Sequence, residues 1–363
     1  MAPSFDITLV RMPFLSPFTT SFGTEKERNA LILRYSSGGV TALAECVTSI
    51  GPFYSYEDNL TAMHIIRGFL AKALRGAPPP SEFMQKVEWI RGHNMAKAAV
   101  EMLLWDYHSK NERKSMVEAL GPTKGYADVG ISIGMDKPEN MVKKAGDAIG
   151  RGYKRVKVKI EKGKEYAILK AVRDSFPEIP LSADANSDYR YGDLPLLKRI
   201  DQFNLVYLEQ PLEHDDLVDH SKLAKELSTP ICLDESISTV ERARQAFEIG
   251  AAKIINIKPG GLGGFTNSLE VAKIAREEGG HVWVGGMLET GVGRAFNVAF
   301  ASLEIVDYPG DTSPNDKYFA RDIVKNPFKM EDGRIRPNAG PGIGVEMDAG
   351  ALRRYTIKRT KVF

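Results

Sequence analysis

Cysteine is scarce in this chain. There are two in 363 residues, Cys46 and Cys232, far apart and in no metal-ligating spacing. A disulfide scaffold is excluded, and a reducing cytoplasm is the simpler home. A charge excess is also lacking. Lys plus Arg is 49 and Asp plus Glu is 47, a formal balance of +2. The basic surface that a dedicated nucleic-acid binder needs to displace counterions is missing. Long apolar runs are missing too. No stretch approaches the roughly 18–20 uninterrupted apolar residues of a membrane helix. The first residues, Met1–Arg11, alternate like a strand and contain no apolar signal region. The expectation is a soluble cytoplasmic protein with neither a nucleic-acid nor a membrane partner.

Apolar material is present in quantity, at 43% of residues, enough for a core. At about 150 residues per domain, the length suggests two domains or one large barrel with additions. The first third reads β then α. Phe5–Val10 and Ala30–Tyr35 are β-rich runs, and Gly38-Gly39 is a turn signal before Val40–Val47. Helical periodicity then carries Leu60, Met63, Ile66, Phe69 and Leu70, and again Ala98, Met102, Trp105 and Asp106. After Gly125 the rhythm changes. β-Rich runs at 129–134, 155–160, 180–184, 205–210, 230–235, 253–259 and 281–286 alternate with amphipathic segments. Repeated βα units mean a parallel sheet, and seven or eight of them point to a closed barrel of the TIM type. A doubly wound sheet is the alternative. The expected division is an α+β capping region over 1–125, a barrel over 126–320, and a Gly- and Pro-rich tail over 321–363 that returns to the cap.

The barrel reading makes the strand ends informative, because active sites of such barrels sit at the C-terminal rim. Lys159, Asp184, Glu209, Asp234 and Lys258 follow one another at spacings of 25, 25, 25 and 24 residues. That period is one strand, one helix and two loops, so five successive units each deliver a charge to one rim. Lys157 and Lys159 are two apart and share a face, while Val156, Val158 and Ile160 take the other. A lone Asp at a strand end is an ordinary helix cap. Three acids at one period converge, and converging carboxylates repel unless a cation sits among them. Asp184, Glu209 and Asp234 offer hard oxygens with no His or Cys, which suits Mg²⁺, with Mn²⁺ as the alternative ion.

Lys159 and Lys258 then face each other across the ring, on its second and sixth strands. For Lys159 to act as a base near pH 7, its pKa must fall by roughly 3 units, or about 4 kcal/mol. A second ammonium about 5 Å away supplies about 3 kcal/mol at an effective dielectric near 20. Lys157 is placed for that role. The chemistry expected is removal of a proton α to a carboxylate, with the cation and a lysine stabilising the enediolate. A Lys base with Mg²⁺ is a known pattern of the enolase superfamily.

The motifs KVKI (Lys157, Lys159), DANSDY (Asp184, Asn186), YLEQPL (Glu209), LDES (Asp234), INIKPGGLGG (Lys258) and WVGGMLETGVGRAFN stand in one order across the chain. In that order they resemble the enolase superfamily, specifically its muconate lactonizing enzyme subgroup. The resemblance implies a modified (β/α)7β barrel with an α+β capping domain built from both termini. It implies catalytic Lys159, Lys258 and Lys157, and Mg²⁺ on Asp184, Glu209 and Asp234. Within the subgroup, IGPFYSYEDN and GGMLETGVGRAFN are similar to the o-succinylbenzoate synthase and N-acylamino acid racemase families. A small carboxylate substrate and a homo-oligomer are implied.

Three departures refine this. Dipeptide epimerases carry an Asp-x-Asp near the eighth strand, and none stands at Gly286–Gly291. A mandelate-racemase-type His base would end the seventh strand, whereas His281 begins it. Racemase-competent relatives read Lys-Pro-Gly-Arg, whereas this chain reads Lys258-Pro259-Gly260-Gly261, which favours the synthase. Substrate contacts are expected from Asn186, Ser132, Phe22, Phe53, Tyr54, Met287, Glu289, Thr290 and Gly291. Residues 16–24 and 51–57 are the expected lids, small, aromatic and Gly-punctuated. A catalytically silent binding barrel is the competing reading from another class.

Overall fold

Gly38 and Gly39 set the first sheet. Both adopt positive φ, +58° and +83°, as a two-residue hairpin turn demands and as side chains resist. They join β2 (Gly23–Ser37) to β3 (Val40–Cys46), and Ser37 pairs directly with Val40. Upstream, β1 (Ser4–Thr20) pairs antiparallel with β2 from Ser4↔Ser36 to Thr20↔Gly23. The expected strand was Phe5–Val10; the observed one runs much further. Pro13 and Pro17 mask its continuation in the sequence, and the ribbon absorbs them with a register shift between Pro13 and Phe18. The computed structural model describes residues 2–20 and 23–363.

Helices cover one face of this sheet. The first, Asn59–Ile65, begins with a capping box in which Asp58 and Thr61 satisfy each other's backbone N–H groups. The Asn94–Asn111 helix is the centre of the cap, and twelve of its residues are buried, from Met95 to Ser109.

Two-residue β4 (Ala127–Asp128) leads into the barrel. Seven parallel strands follow: β5 (Gly130–Ile133), β6 (Arg155–Lys159), β7 (Leu181–Asp184), β8 (Leu208–Glu209), β9 (Ile231–Leu233), β10 (Ile254–Ile257) and β11 (His281–Val284). They neighbour one another in chain order. The doubly wound alternative would break that order, so the barrel reading holds. The ring closes through residues 308–311. Gly130 N donates to Gly310 O at 2.7 Å on one side, and Asp311 N donates to Val284 O at 2.9 Å on the other. This eighth segment therefore lies at 308–311, not at 286–291. It ends on Asp311, and the run Asp311-Thr312-Ser313 has one acid of an Asp-x-Asp pattern.

The tail completes both parts. β12 (Arg334–Ile335) pairs with β4, and β13 (Thr356–Lys361) adds to β1, so the cap sheet runs β13-β1-β2-β3. Among the described residues, no helix is long and apolar enough to cross a membrane.

Cap and barrel are joined by buried acids placed at helix starts. Glu101 of the cap accepts from Phe265 N, Thr266 N and Thr266 Oγ1, at the first turn of the Phe265–Glu277 barrel helix. Glu45 on β3 accepts from Thr290 N, Thr290 Oγ1 and Gly293 N, at the start of Gly291–Ala301. Unsatisfied N–H groups and the positive end of the helix dipole both favour an anion there. Gly264 has no side chain because a Cβ would stand 2.1 Å from Glu101 Oε2. The GGLGG run is thus an interface for the cap, not a phosphate loop.

Candidate active site

In-register pairing fixes the rim. Lys159 pairs with Asp184 on the neighbouring strand, Asp184 with Glu209, and Glu209 with Cys232, two residues before Asp234. All of β6 is buried; its apolar residues face the helices and its lysines face the interior. Just past the strand ends, Asn186, Ser187, Gln210 and Leu288 all hold positive φ. Strain in non-glycine backbone of this kind is tolerated where surrounding structure over-determines it. At Gln210, the side-chain Oε1 receives Asp234 N at 3.0 Å and Ser236 N at 3.2 Å. One strained residue thereby ties the end of β8 to the end of β9.

Each lysine is held by carboxylates. Lys159 Nζ donates to Asp184 Oδ2 at 2.6 Å and to Asn186 Oδ1 at 2.5 Å. Lys258 Nζ donates to Asp234 Oδ2 at 2.7 Å. Lys157 Nζ lies 2.7 Å from Glu209 Oε2, 2.9 Å from Asp311 Oδ2 and 3.1 Å from Asp184 Oδ2. Burial by itself would lower the Lys157 ammonium, but Asp311, Glu209 and Asp184 hold it well above its ordinary value. Lys157 is therefore a fixed positive charge. Lys258 is raised as well, with Asp234 and Glu235 outweighing its burial.

The acids divide. Asp184 is buried, yet Lys159 and Lys157 hold its carboxyl below the usual range. Glu209 goes the other way: burial, with the charge of Asp184 next in effect, pushes it up to about 8. Glu235 is pushed up to about 7 by burial and by Asp234. This cluster has more carboxylate than its ammonium groups relieve, which is the condition a divalent cation answers. Among the described residues, no three acid, His or Cys side chains converge as a ready-made metal cage. The lysines occupy the oxygens instead. The donor set of hard oxygens on adjoining strands fits Mg²⁺.

All of these groups except Glu209 and Glu235 line a cavity of about 110 Å³ between cap and barrel. Its wall includes Lys157, Lys159, Asp184, Asn186, Asp234, Lys258, Ser132 and Met287. From the cap come Phe53 and Tyr54. Tyr54 is set deep, with its hydroxyl donating to Asp234 Oδ1 at 2.8 Å and its ring 4.1 Å from Lys258 Nζ. Phe53 and Tyr54 also line a second cavity of about 720 Å³, which shares Asn186, Asp234, Asn256 and Lys258 with the first. Glu209 stands behind the wall, fully buried, with Asn256 Nδ2 donating to its Oε1 at 2.9 Å.

Three expected substrate residues are elsewhere. Glu289 is buried against Arg294 and Asn297. Thr290 caps its helix and meets Glu45. Gly291 N is held by Asp322, and a Cβ there would stand 2.2 Å from Val324. All three form a helix start, whose N–H groups require acceptors, so they serve the domain interface. Phe22 lies outside the described residues. His281 pairs with Asp307 at 2.6 Å, at the opposite end of its strand from the rim. Gly261 is not forced by space: a Cβ there would lie 3.4 Å from Lys258 O, in ordinary contact.

Residues that the sequence reading missed include Asp311, Asn256, Arg28, Ser49 and Tyr318, all on the cavity wall, which Phe18 of the expected 16–24 lid also lines. Asn256 had a signal, since it stands two before Lys258 as Lys157 stands two before Lys159. Asp311 bridges Lys157 to Arg155, at 2.9 and 2.7 Å. Its segment is only four residues long, too short to read as a strand.

Two family models match the chain: the mandelate racemase / muconate lactonizing enzyme N-terminal domain over residues 5–121, and the enolase C-terminal domain-like model over residues 140–351. The chain is 40% identical to an o-succinylbenzoate synthase of Bacillus subtilis, covering 96% of this chain and 94% of that one. It is also 40% identical to an N-succinylamino acid racemase of Thermus thermophilus, covering 97% and 96%. A solved enolase-superfamily structure from Listeria innocua superposes with a TM-score of 0.95 at 38% identity, over 99% of this chain and 98% of that one.

Proposed function

The chain belongs to the mandelate racemase and muconate lactonizing enzyme family of the enolase superfamily, and on that premise we propose that it is an o-succinylbenzoate synthase. The substrate is 2-succinyl-6-hydroxy-2,4-cyclohexadiene-1-carboxylate. The observation that carries this reading is the pair Lys159 and Lys258, which reach one cavity from opposed strands, each beside a rim carboxylate.

Lys159, as the neutral amine, takes the proton α to the ring carboxylate. The electron pair of that C–H bond passes onto the carboxylate as an enediolate and then returns to form the new ring double bond as the C–O bond to the ring hydroxyl breaks. Lys159 returns its proton to the departing hydroxyl on the same face, and water leaves. Lys258 stays cationic on the other face and stabilises the negative charge that develops on the carboxylate. Lys157 adds a fixed positive charge beside Glu209, Asp311 and Asp184. Asp184, Glu209 and Asp234 would hold Mg²⁺, with Mn²⁺ as the alternative, and the ion supplies positive charge against the developing anion. Asn186 steadies Lys159, and Tyr54 and Phe53 exclude water from above.

A second reading, N-succinylamino acid racemase, is favoured by the same opposed pair. Two lysines on two faces can exchange the roles of base and acid. The experiment uses both substrates with Mg²⁺. Conversion of the cyclohexadiene carboxylate to o-succinylbenzoate is the expected result. α-Deuterium incorporation into N-succinylphenylglycine in D₂O marks the racemase. Absence of both, or turnover that survives Lys159→Ala, overturns the assignment. The proposal extends to a homo-oligomer in the cytoplasm. Cys46 and Cys232 are buried and unpaired, and Leu60 and Trp89 leave large apolar side chains exposed on the cap. Sedimentation measures the assembly.

A further inference from the structure

Both substrates of the proposed function carry a succinyl chain, and a succinyl chain ends in a carboxylate. That group is remote from the reacting carbon and needs a cation of its own. Four cations line the inner cavity: Lys157, Lys159, Lys258 and Arg28. The three lysines are engaged by the rim acids. Arg28 stands apart from them, on β2 of the cap.

Arg28 is 2% exposed. Its Nη1 donates to Thr48 O at 3.0 Å, and its Nη2 to Glu45 Oε1 at 3.3 Å. Nε is buried and has no hydrogen-bond partner among the described residues. A buried guanidinium N–H without an acceptor is costly, and such groups are rarely left so. The surrounding wall explains what could supply the acceptor. Phe18, Val47 and Phe53 make it apolar, as two methylene groups require. Glu25, the other charged cap residue on this wall, already accepts from Ser49 Oγ at 2.8 Å.

We propose, building on the functional reading above, that Arg28 determines specificity by receiving the terminal carboxylate of the succinyl chain through its unpaired Nε–H. Thr48 and Glu45 fix the guanidinium plane before the ligand arrives, which lowers the ordering cost of binding. Glu45 cannot follow the ligand, because its other oxygen holds the start of the Gly291–Ala301 helix. The synthase ring and the racemase amino acid differ at the reacting end. The succinyl tail is what they share, and one cap arginine reads it in both.

The test is calorimetric binding in Mg²⁺ with two matched pairs: o-succinylbenzoate against o-butanoylbenzoate, and N-succinylphenylglycine against N-butanoylphenylglycine. Each pair differs only in the terminal carboxylate. The succinyl member is expected to bind on the order of tenfold tighter or more in at least one pair. Arg28→Met should erase that preference, and Arg28→Lys, which keeps the charge and loses Nε, should retain only part of it. Equal binding of both members by the unmodified protein overturns the proposal. So does a full preference that survives in folded Arg28→Met. If Arg28→Met does not fold, the unmodified ratio and Arg28→Lys decide. Failure of the functional reading has a different signature: no member of either pair binds and no α-proton exchanges, which overturns both.

Discussion

The two walls of the cavity are built on different rules. The barrel wall draws its charged residues from five successive strand ends, from Lys159 to Lys258, at a spacing of 24–25 residues, and strand register sets their heights. The cap wall is assembled from a hairpin ribbon (Phe18), strand interiors (Arg28) and a loop between Ser49 and Asp58 (Phe53, Tyr54). No period relates these positions. The first wall holds the groups proposed to move protons, and they are buried, charged and mutually bonded. The second holds aromatic rings and one arginine. A repeated unit keeps reacting groups in fixed relation, while unrelated segments can vary in length without disturbing them. Chemistry and choice of substrate are thereby separated in space.

The largest expected effect sharpens that separation. Lys159→Ala should lower kcat by on the order of a thousandfold or more, as loss of a general base does, while a succinyl ligand still binds. A steady-state assay and calorimetry measure the two halves. Comparable loss of both would break the comparison. Next is the seam between the walls. Glu101→Ala leaves Phe265 N and Thr266 N buried without their acceptor and should destabilise the fold by about 2–4 kcal/mol, read by urea denaturation. Smaller still is Tyr54→Phe. It removes the hydroxyl from Asp234 and keeps the ring over Lys258, so Mg²⁺ should bind a few-fold more tightly and kcat should change less than KM.

The smallest effect is in pH dependence, and the two regions should differ in sign. Burial raises Glu101 and Glu45 above their ordinary values. An acid raised by folding contributes most below its unfolded value, and that contribution is lost as pH rises through the folded one. Asp311 is lowered, because Lys157 and Arg155 outweigh its burial. Its contribution is present above the unfolded value, near pH 4, and is lost as pH falls. Between pH 4 and 7, the stability difference between the unmodified protein and Glu101→Gln should shrink with rising pH. The corresponding difference for Asp311→Asn should grow and then level off. Denaturation curves at several pH values check both slopes.

The same contrast explains what could be read from the chain. The barrel strands and the period of Lys159, Asp184, Glu209, Asp234 and Lys258 are legible because one structural unit repeats, and repetition survives in sequence. The full length of β1 is not legible, because two prolines imitate a loop end. Glu289, Thr290 and Gly291 were expected at the substrate from their place after a barrel strand. The interface takes them instead, since a helix start needs acceptors and Glu45 and Asp322 supply them. Arg28 could not be found from its neighbours in the chain, since its partners Glu45 and Thr48 come from the next strand and beyond.

Glu45 and Glu101 have a consequence for how such enzymes diversify. Two barrel helices begin on carboxylates that belong to the cap. A cap transplanted onto another barrel, or a barrel expressed alone, would lose those acceptors together with its lid. Exchange of whole domains between relatives is therefore penalised at the level of folding, before catalysis is tested. Point changes along the ribbon and the 50–56 loop carry no such penalty, whereas Glu57 accepts from Met95 N and Ala96 N and is tied to the fold. Variation in this lineage should accumulate as single substitutions in the cap wall, with the seam held constant, and shuffled chimeras should fail as insoluble chains, not as inactive enzymes.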